Sequence, residues 1–453
     1  MAGNAIPVRV VFVTLDTHLA GAVERAECKL KGSGITIGYH AASEWDRDAE
    51  ALPRAIADIE QADIVIATML FMEDHMKAVL PALTARRDQC DAMIGMMSGS
   101  DVVKLTRMGG YSMSKPATGL MAMLKKLRGS SKPGTDSGDK QMRMLRRLPK
   151  ILKFIPGTAQ DVRAYFLTLQ YWLAGSDDNV VAMIRALVDR YADGPRKALR
   201  GKTPAAAPIE YPEIGLYHPA LAQPIVESLD ALPDRIATNA GTVGVLMLRS
   251  YLLARDTAHY DGVISALEAR GLRVIPAFAS GLDSRPAIDR FFAGVDAVVS
   301  LTGFSLVGGP AYNDAAAAAK TLAALDVPYI AAHPVEFQTL EQWRDGKQGL
   351  LPLEATLMVS IPELDGAIAP TVFGGRSENT GSVRTMRSDP ERASALADKT
   401  AKLVALRRSD RAHRKLAIVL FNFPPNAGAA GTAAFLGVWE SLYATLGRLA
   451  AEG

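Results

Sequence analysis

Several things are scarce or missing in this sequence, and each absence narrows what it can be. Only two cysteines occur in 453 residues, Cys28 and Cys90. They fit no zinc or haem spacing, and a reducing cytoplasmic compartment is the expected setting. No apolar run approaches the ~20 residues needed to span a bilayer. The formal net charge is only +3, too small to make nucleic acid or a membrane surface the main partner. The opening residues, MAGNAIPVRVVFVTLD, enter a strand pattern directly, with no signal-peptide or transit-peptide character. There is no G-x-G-x-x-G at a strand–helix junction: SGSDVVKLTRMGG (98–110) is glycine-rich but wrongly spaced, which argues against a dinucleotide site. A nucleophile elbow, an H-E-x-x-H and a cysteine cluster are missing too. In FPPNAGAAGTAAF, Gly431 is followed by Thr432 and Ala433. A phosphate loop needs Lys and then Ser/Thr there, so ATP is not expected to bind in this chain.

Much remains. Hydrophobic residues make up 49% of the chain and charged residues 22%, as in globular proteins with real cores. The length suits two to four domains of roughly 100–200 residues. VRVVFVTLD, ITIGYH, ADIVIATMLF and DAMIGMMSG read as buried strands, separated by helical stretches such as 74–87, and Asp16 or Thr17 is placed to cap the first helix. A second β-α series begins near 241 with TVGVLML, LRVIPAF, VDAVVSLTG and VPYIAAH; its helices are expected at 256–270, 311–325 and 389–408. The expected fold is α/β: two Rossmann-like or flavodoxin-like parallel-sheet units, a helical connector, and the start of a further α/β domain. The expected boundaries are an N-terminal domain at 1–128, a flexible loop and helical connector at 129–200, and an extended linker at 201–240. A second α/β domain follows at 241–410, and an incomplete further unit at 411–453, where LAIVLF starts a strand that one loop and one helix cannot cover. Between Asp101 and Lys153 there are 13 Lys/Arg against 3 Asp/Glu, a basic stretch suited to an acidic partner, to anionic lipid, or simply to a solvated surface. Tyr165, Leu169 and Trp172 share one helix face and read as core.

Candidate site residues sit where strands end. The loop in SLTGFSLVGGPAYND places Gly308 and Gly309 at a strand's carboxyl end, where open α/β sheets bind ligands, or where a turn merely requires glycine. In AAHPVEFQTLEQW, His333 and Glu336 are a base and a carboxylate suited to accepting protons or holding a cation, or to capping a helix that begins near Gln338. In PTVFGGR, Arg376 is suited to a bidentate carboxylate contact or to a structural salt bridge. Glu213 and His218 in YPEIGLYHP read as packing against the next domain.

Taken in order, GLYHP, GFSLVGGPAYND, HPVEFQTLEQW, PTVFGGR and KLAIVLFNFPPNAGAAGTAAFL resemble the large porphyrin-binding subunits of magnesium chelatases. The second half is also similar to the cobaltochelatase large subunit, while residues 7–170 resemble the extra N-terminal domain of the magnesium branch. The resemblance covers nearly the whole chain. Large subunits of this family are much longer, so it implies an N-terminal portion, inactive alone, whose main acidic and His metal-insertion residues lie further along.

The resemblance implies a subunit of a ligase that forms nitrogen–metal bonds: insertion of Mg2+ into protoporphyrin IX on the way to chlorophyll and bacteriochlorophyll. The chemistry is demanding. Mg2+ gives up water reluctantly. Two pyrrole N–H protons must leave to a base, and the macrocycle needs a flat apolar cleft with cations for its propionates. His333 and Glu336 are the candidate proton acceptors; Gly308, Gly309 and Arg376 are the candidate porphyrin contacts. The implied partners are two smaller AAA+ motor subunits, which use the ATP, and the methyltransferase that acts on Mg-protoporphyrin. The expected location is cytoplasmic or peripheral to photosynthetic membranes. Two alternatives stay open at this point: a cobaltochelatase acting on a corrin-type ring, and a non-catalytic porphyrin carrier or regulatory scaffold.

Overall fold

A computed structural model describes residues 6–15, 18–45, 48–114, 147–202, 204–233, 240–309, 312–377, 385–422, 428, 430–433 and 436–452. The expected cap at Asp16 or Thr17, the flexible loop at 129–139, most of the basic stretch and most of the FPPNAG loop lie outside the described residues.

The first unit alternates as its sequence predicts: β1 (Val8–Thr14), α1 (Ala20–Leu30), β2 (Ile35–Ala41), α2 (Ala51–Gln61), β3 (Ile64–Thr68), α3 (Glu73–Arg86) and β4 (Ala92–Met96). A small hairpin, β5 (Arg107–Met108) and β6 (Tyr111–Ser112), follows and extends the sheet in the order β2-β1-β3-β4-β5-β6. The first four strands are parallel. Their buried runs are sorted by the two-residue repeat of a strand. Val8, Val10 and Phe12 enter one core with α1 and with the helices α4 (Thr158–Ala174) and α5 (Asp177–Tyr191). Val11 and Val13 enter the opposite core with Ile59, Val79 and Leu83 of α2 and α3. The connector helices therefore complete the first unit's core, and Trp172 of α4 stacks on Phe12 at 5.8 Å.

Gly95 shows how tightly the layers meet. A Cβ there would lie 2.3 Å from the Val102 carbonyl oxygen, a backbone atom that cannot step aside. Gly95→Ala is expected to destabilise the protein by about 3 kcal/mol through overpacking, read as a lowered urea midpoint with an unchanged m-value.

The second unit begins with β7 (Ile214–Tyr217) and β8 (Ile225–Val226), so part of the expected linker joins the sheet. Then come β9 (Thr242–Leu248), α6 (Ala258–Glu268), β10 (Arg273–Ala279), α7 (Arg285–Phe291), β11 (Ala297–Ser300), and the hairpin β12 (Gly308–Gly309) and β13 (Tyr312–Asn313). The rest is α8 (Ala315–Leu325), β14 (Tyr329–Thr339), β15 (Ile368–Arg376), β16 (Met386–Ser388) and α9 (Pro390–Arg408). The sheet order is β16-β15-β14-β11-β9-β10-β7-β8. Its five central strands are parallel. The helices start and stop as their ends dictate: the Asp314 side chain accepts from Ala317 N at 2.9 Å to open α8, and Asp389 accepts from Arg392 N at 3.2 Å to open α9. One core lies under α6 and α9, the other under α7 and α8.

The closing stretch differs from expectation. LAIVLF joins neither sheet: among the described residues it forms no ladder, with Val419 91% and Phe421 68% exposed. An isolated antiparallel bridge, Asn422 to Ala430, follows it. Helix α10 (Val438–Glu452) forms as expected but buries none of its residues, leaving Trp439 and Tyr443 exposed. Helical hydrogen bonds close within the segment, whereas strand bonds require a neighbour, so the helix forms here and the strand does not.

Candidate functional site

In both units the strand order places the first parallel strand between the second and the third: β2-β1-β3-β4 in one, and β10-β9-β11-β14-β15 in the other. Successive connections therefore diverge beside β1 and beside β9, and open α/β sheets bind ligands at the carboxyl ends next to such switch points. The two units turn these ends toward one cleft of about 420 Å3, within the range of small-molecule pockets, ~300–1,000 Å3. His18 follows β1, Met69 follows β3 and Met97 follows β4 on one wall. The second unit contributes Leu248 at the end of β9, Arg249–Tyr251 just after it, Leu282 after β10 and Phe304 after β11, with Glu336 on β14 and Arg376 at the end of β15. Leu169, Trp172 and Leu173 of α4 add apolar surface.

A third wall, Pro208–Tyr211, comes from the connector and is tied to both units. Tyr171 donates from its hydroxyl to the Ala206 carbonyl at 2.5 Å. Asn179 treats Ile209 as a strand neighbour would: its Nδ2 donates to Ile209 O at 3.1 Å and its Oδ1 accepts from Ile209 N at 2.8 Å. From the second unit, Arg249 donates to Pro212 O at 2.8 Å and to Tyr211 O at 3.0 Å. Arg25 of α1 also crosses between the units, donating to Ala254 O at 2.5 Å.

Glu336 accepts from the Tyr251 hydroxyl at 2.9 Å. Behind Tyr251, His259 is packed at 5.0 Å centroid distance, edge to face, with Tyr260 and Phe373 on its other sides. Burial, helped by the positive charge of Arg376, pushes the His259 imidazole down to about 3, so it is neutral. Asp256 lies in the same charge field. Burial pushes its carboxyl up, against a hydrogen bond from Met386 N and the charges of Arg376, Arg25 and His18.

The expected site residues separate into two groups. Glu336 and Arg376, 40 positions apart in sequence, come together on the cleft. His333 does not line it. It lies within β14, which runs on to Thr339 before the helix Leu340–Asp345, so the rim is reached later than expected. His333 is 2% exposed, and burial pushes its imidazole down to about 4. Gly308 and Gly309 act at one remove. They form the β12 strand of a hairpin, and the Cβ position of Gly309 is occupied by the tip of Leu282, 2.2 Å away, which they hold against the cleft. The two glycines before Arg376 serve strand packing: a Cβ on Gly375 would meet Val335 Cγ2 at 2.3 Å. His218 packs as expected and is buried, whereas Glu213 is exposed. The Glu213 carbonyl accepts from Ser280 N at 2.6 Å, and His218 Nε2 meets Glu268 at 3.0 Å. Sequence reasoning missed Met69, Met97, Tyr251 and the connector wall; the available signal was their position one to three residues beyond a strand's end or in the link between units.

A protein family described as CobN/magnesium chelatase matches residues 169–453, more than half of the chain. The chain belongs to the CobN/magnesium chelatase family. A family described as a domain of unknown function matches residues 9–166. The chain is 53% identical to the H subunit of magnesium chelatase from Cereibacter sphaeroides over 98% of its own length, and spans 39% of that relative. The aerobic cobaltochelatase subunit CobN of Sinorhizobium is more distant, 24% identical over 62% of this chain and 22% of its own. Among solved structures, the catalytic subunit of cobaltochelatase from Mycobacterium tuberculosis shares the fold: the TM-score is 0.55 with 20% identity, over 99% of this chain and 31% of that one. Among the described residues no helix is long and apolar enough to cross a membrane.

Proposed function

We propose that this chain works as the porphyrin-binding large subunit of a magnesium chelatase, in the insertion of Mg2+ into protoporphyrin IX for bacteriochlorophyll or chlorophyll synthesis. The relationship to the H subunit of magnesium chelatase, 53% identity across 98% of the chain, carries this reading. The weaker likeness to the cobalt enzyme, 24% over 62%, favours magnesium and protoporphyrin over cobalt and a corrin-type ring. ATP is hydrolysed by two smaller AAA+ subunits, and the product passes to the methyltransferase acting on Mg-protoporphyrin. These 453 residues contribute porphyrin docking and, with the motor subunits, Mg2+ and ATP, form no Mg-porphyrin by themselves.

Within this reading the cleft between the units is the docking site. Its apolar walls suit the face of a macrocycle, and charged groups at its edge suit what the ring carries. Arg376 engages a propionate carboxylate. Glu336, positioned by Tyr251, is the carboxylate to which a pyrrole proton passes. Gly308 and Gly309 act through Leu282, and His333 backs the rim as a neutral core group.

The test is a fluorescence-quenching titration with deuteroporphyrin. The chain is expected to bind saturably and to prefer porphyrin to hydrogenobyrinic acid diamide. Arg376→Ala should weaken binding by about tenfold, the effect of removing one charge-assisted hydrogen bond, with Arg376→Lys recovering part of it. The absence of saturable binding by the wild-type chain would refute the reading. Unchanged affinity in Arg376→Ala would remove that residue from the site.

A further inference from the structure

Met69 and Met97 share an unusual feature. Each is the first residue after a strand, and each has a positive φ, 60° and 48°. This left-handed conformation crowds a Cβ and is usually given to glycine. Only five non-glycine residues adopt it among those described, and one of these, Asp326, simply ends helix α8. The two methionines are also neighbours: β3 and β4 are parallel with Thr68 paired to Met96, so Met69 and Met97 leave the sheet side by side. Both are half-buried, and both line the cleft beside the switch point of the first unit.

Strain at a non-glycine position persists only where the surroundings over-determine it, and it clusters at ligand sites. Here the sequence keeps a long thioether side chain, twice, where glycine would relieve the backbone. Methionine is flexible and polarisable, and its sulfur makes favourable contacts with aromatic rings. The same cleft is lined by Tyr251 and Phe304, so a flat aromatic ligand held there would meet aromatic rings as well as thioethers.

We infer that Met69 and Met97 form a paired thioether floor that grips one face of a planar aromatic macrocycle, and that the strained backbone of both residues serves to aim them at it. The inference rests on the proposed docking of porphyrin in this cleft. It assigns the pair the role of selecting a flat aromatic ring over a puckered, less conjugated one of similar size.

The experiment uses the whole chain with deuteroporphyrin in two measurements. In the first, Met69→Gly and Met97→Gly are titrated and melted. Each should bind about tenfold more weakly, the loss of one apolar contact with its sulfur–ring interaction, while its melting temperature stays level or rises because the strain is gone. Met69→Leu and Met97→Leu keep the bulk and should recover part of the affinity. In the second, methionine oxidation by dilute peroxide is followed by mass spectrometry. Porphyrin should protect Met69 and Met97 in the wild-type chain.

Porphyrin binding with full affinity in both glycine variants, or binding without protection of either methionine, would overturn the inference and leave porphyrin docking standing. Glycine variants that melt lower and bind normally would show the side chains to be packing elements, which also overturns it. No saturable binding by the wild-type chain would remove the docking reading and the inference with it.

Discussion

Between pH 7.5 and pH 4.5 the protein is expected to lose about 5 kcal/mol of stability through two imidazoles. His259 and His333 titrate near 6.5 when unfolded, but burial holds them near 3 and 4 in the fold. Neither ring nitrogen of either residue has a hydrogen-bond partner among the described residues. Below pH 6.5 the unfolded chain therefore binds protons that the native protein refuses, and stability falls as pH falls. The slope is about 1.4 kcal/mol per pH unit for each group, until the folded values are reached. Their contribution is fully present above pH 6.5. Three carboxyls act in the opposite sense: burial pushes Asp256, Asp261 and Asp365 up, so the native state takes protons before the unfolded chain does. The measurement must therefore compare profiles. Urea unfolding of wild type and of a His259→Phe, His333→Leu double variant should diverge steadily on acidification, with the variant flatter. His259 already stacks with Phe373 at 5.9 Å, so Phe fits the same cage. Parallel profiles would show that the two imidazoles are not sealed in neutral form.

Glu354→Ala is expected to cost about 4 kcal/mol and to loosen the site as well. Glu354 is fully buried. Its Oε2 accepts from Gln338 Nε2 at 2.5 Å and from Leu351 N at 3.0 Å, and its Oε1 from Phe337 N at 3.3 Å. Truncation removes the shared acceptor of three donors, two of them backbone N–H groups, while Gln338 Nε2 keeps the Gly349 carbonyl at 3.2 Å; losses of roughly 1–3 kcal/mol for each donor left unsatisfied make up the cost. One of those donors belongs to the residue after Glu336, so the loss reaches the cleft through the backbone. The segment that follows, Ala355–Ser360, is a turn of π-helix, a form frequently found at functional sites. Glu354→Gln keeps the shape and should recover part of the stability. Thermal melts measure the first effect, and porphyrin titration of the folded variant measures the second. An alanine variant that melts within a degree of wild type would show that these hydrogen bonds contribute little.

The helices of this protein were legible because their causes are local. The helices expected at 74–87, 256–270, 311–325 and 389–408 are found at Glu73–Arg86, Ala258–Glu268, Ala315–Leu325 and Pro390–Arg408. The buried strands were legible too, since runs such as VRVVFVT and AVVS are apolar on both faces and can only lie inside a sheet covered twice. Strand ends were less so. β14 continues through Pro334 with irregular pairing to β15 and delivers Glu336, not His333, to the rim. A bulge shifts which side chain faces where, and its position depends on the neighbouring strand. LAIVLF carries a strand's composition and makes no ladder among the described residues, because composition cannot supply a partner.

Sequence alone determined the α/β alternation, the two parallel units and the residue types available at each strand's carboxyl end, because hydrophobic periodicity and turn chemistry act over a few residues. Tertiary structure decided which of those ends meet. The meeting of Glu336 with Arg376 across 40 positions of sequence, the tying of Ile209 by Asn179, and the pairing of Met69 with Met97 all follow from strand order and from one unit facing the other. Those are contacts between distant parts of the chain, set by the burial of whole layers, and no short stretch of sequence encodes them.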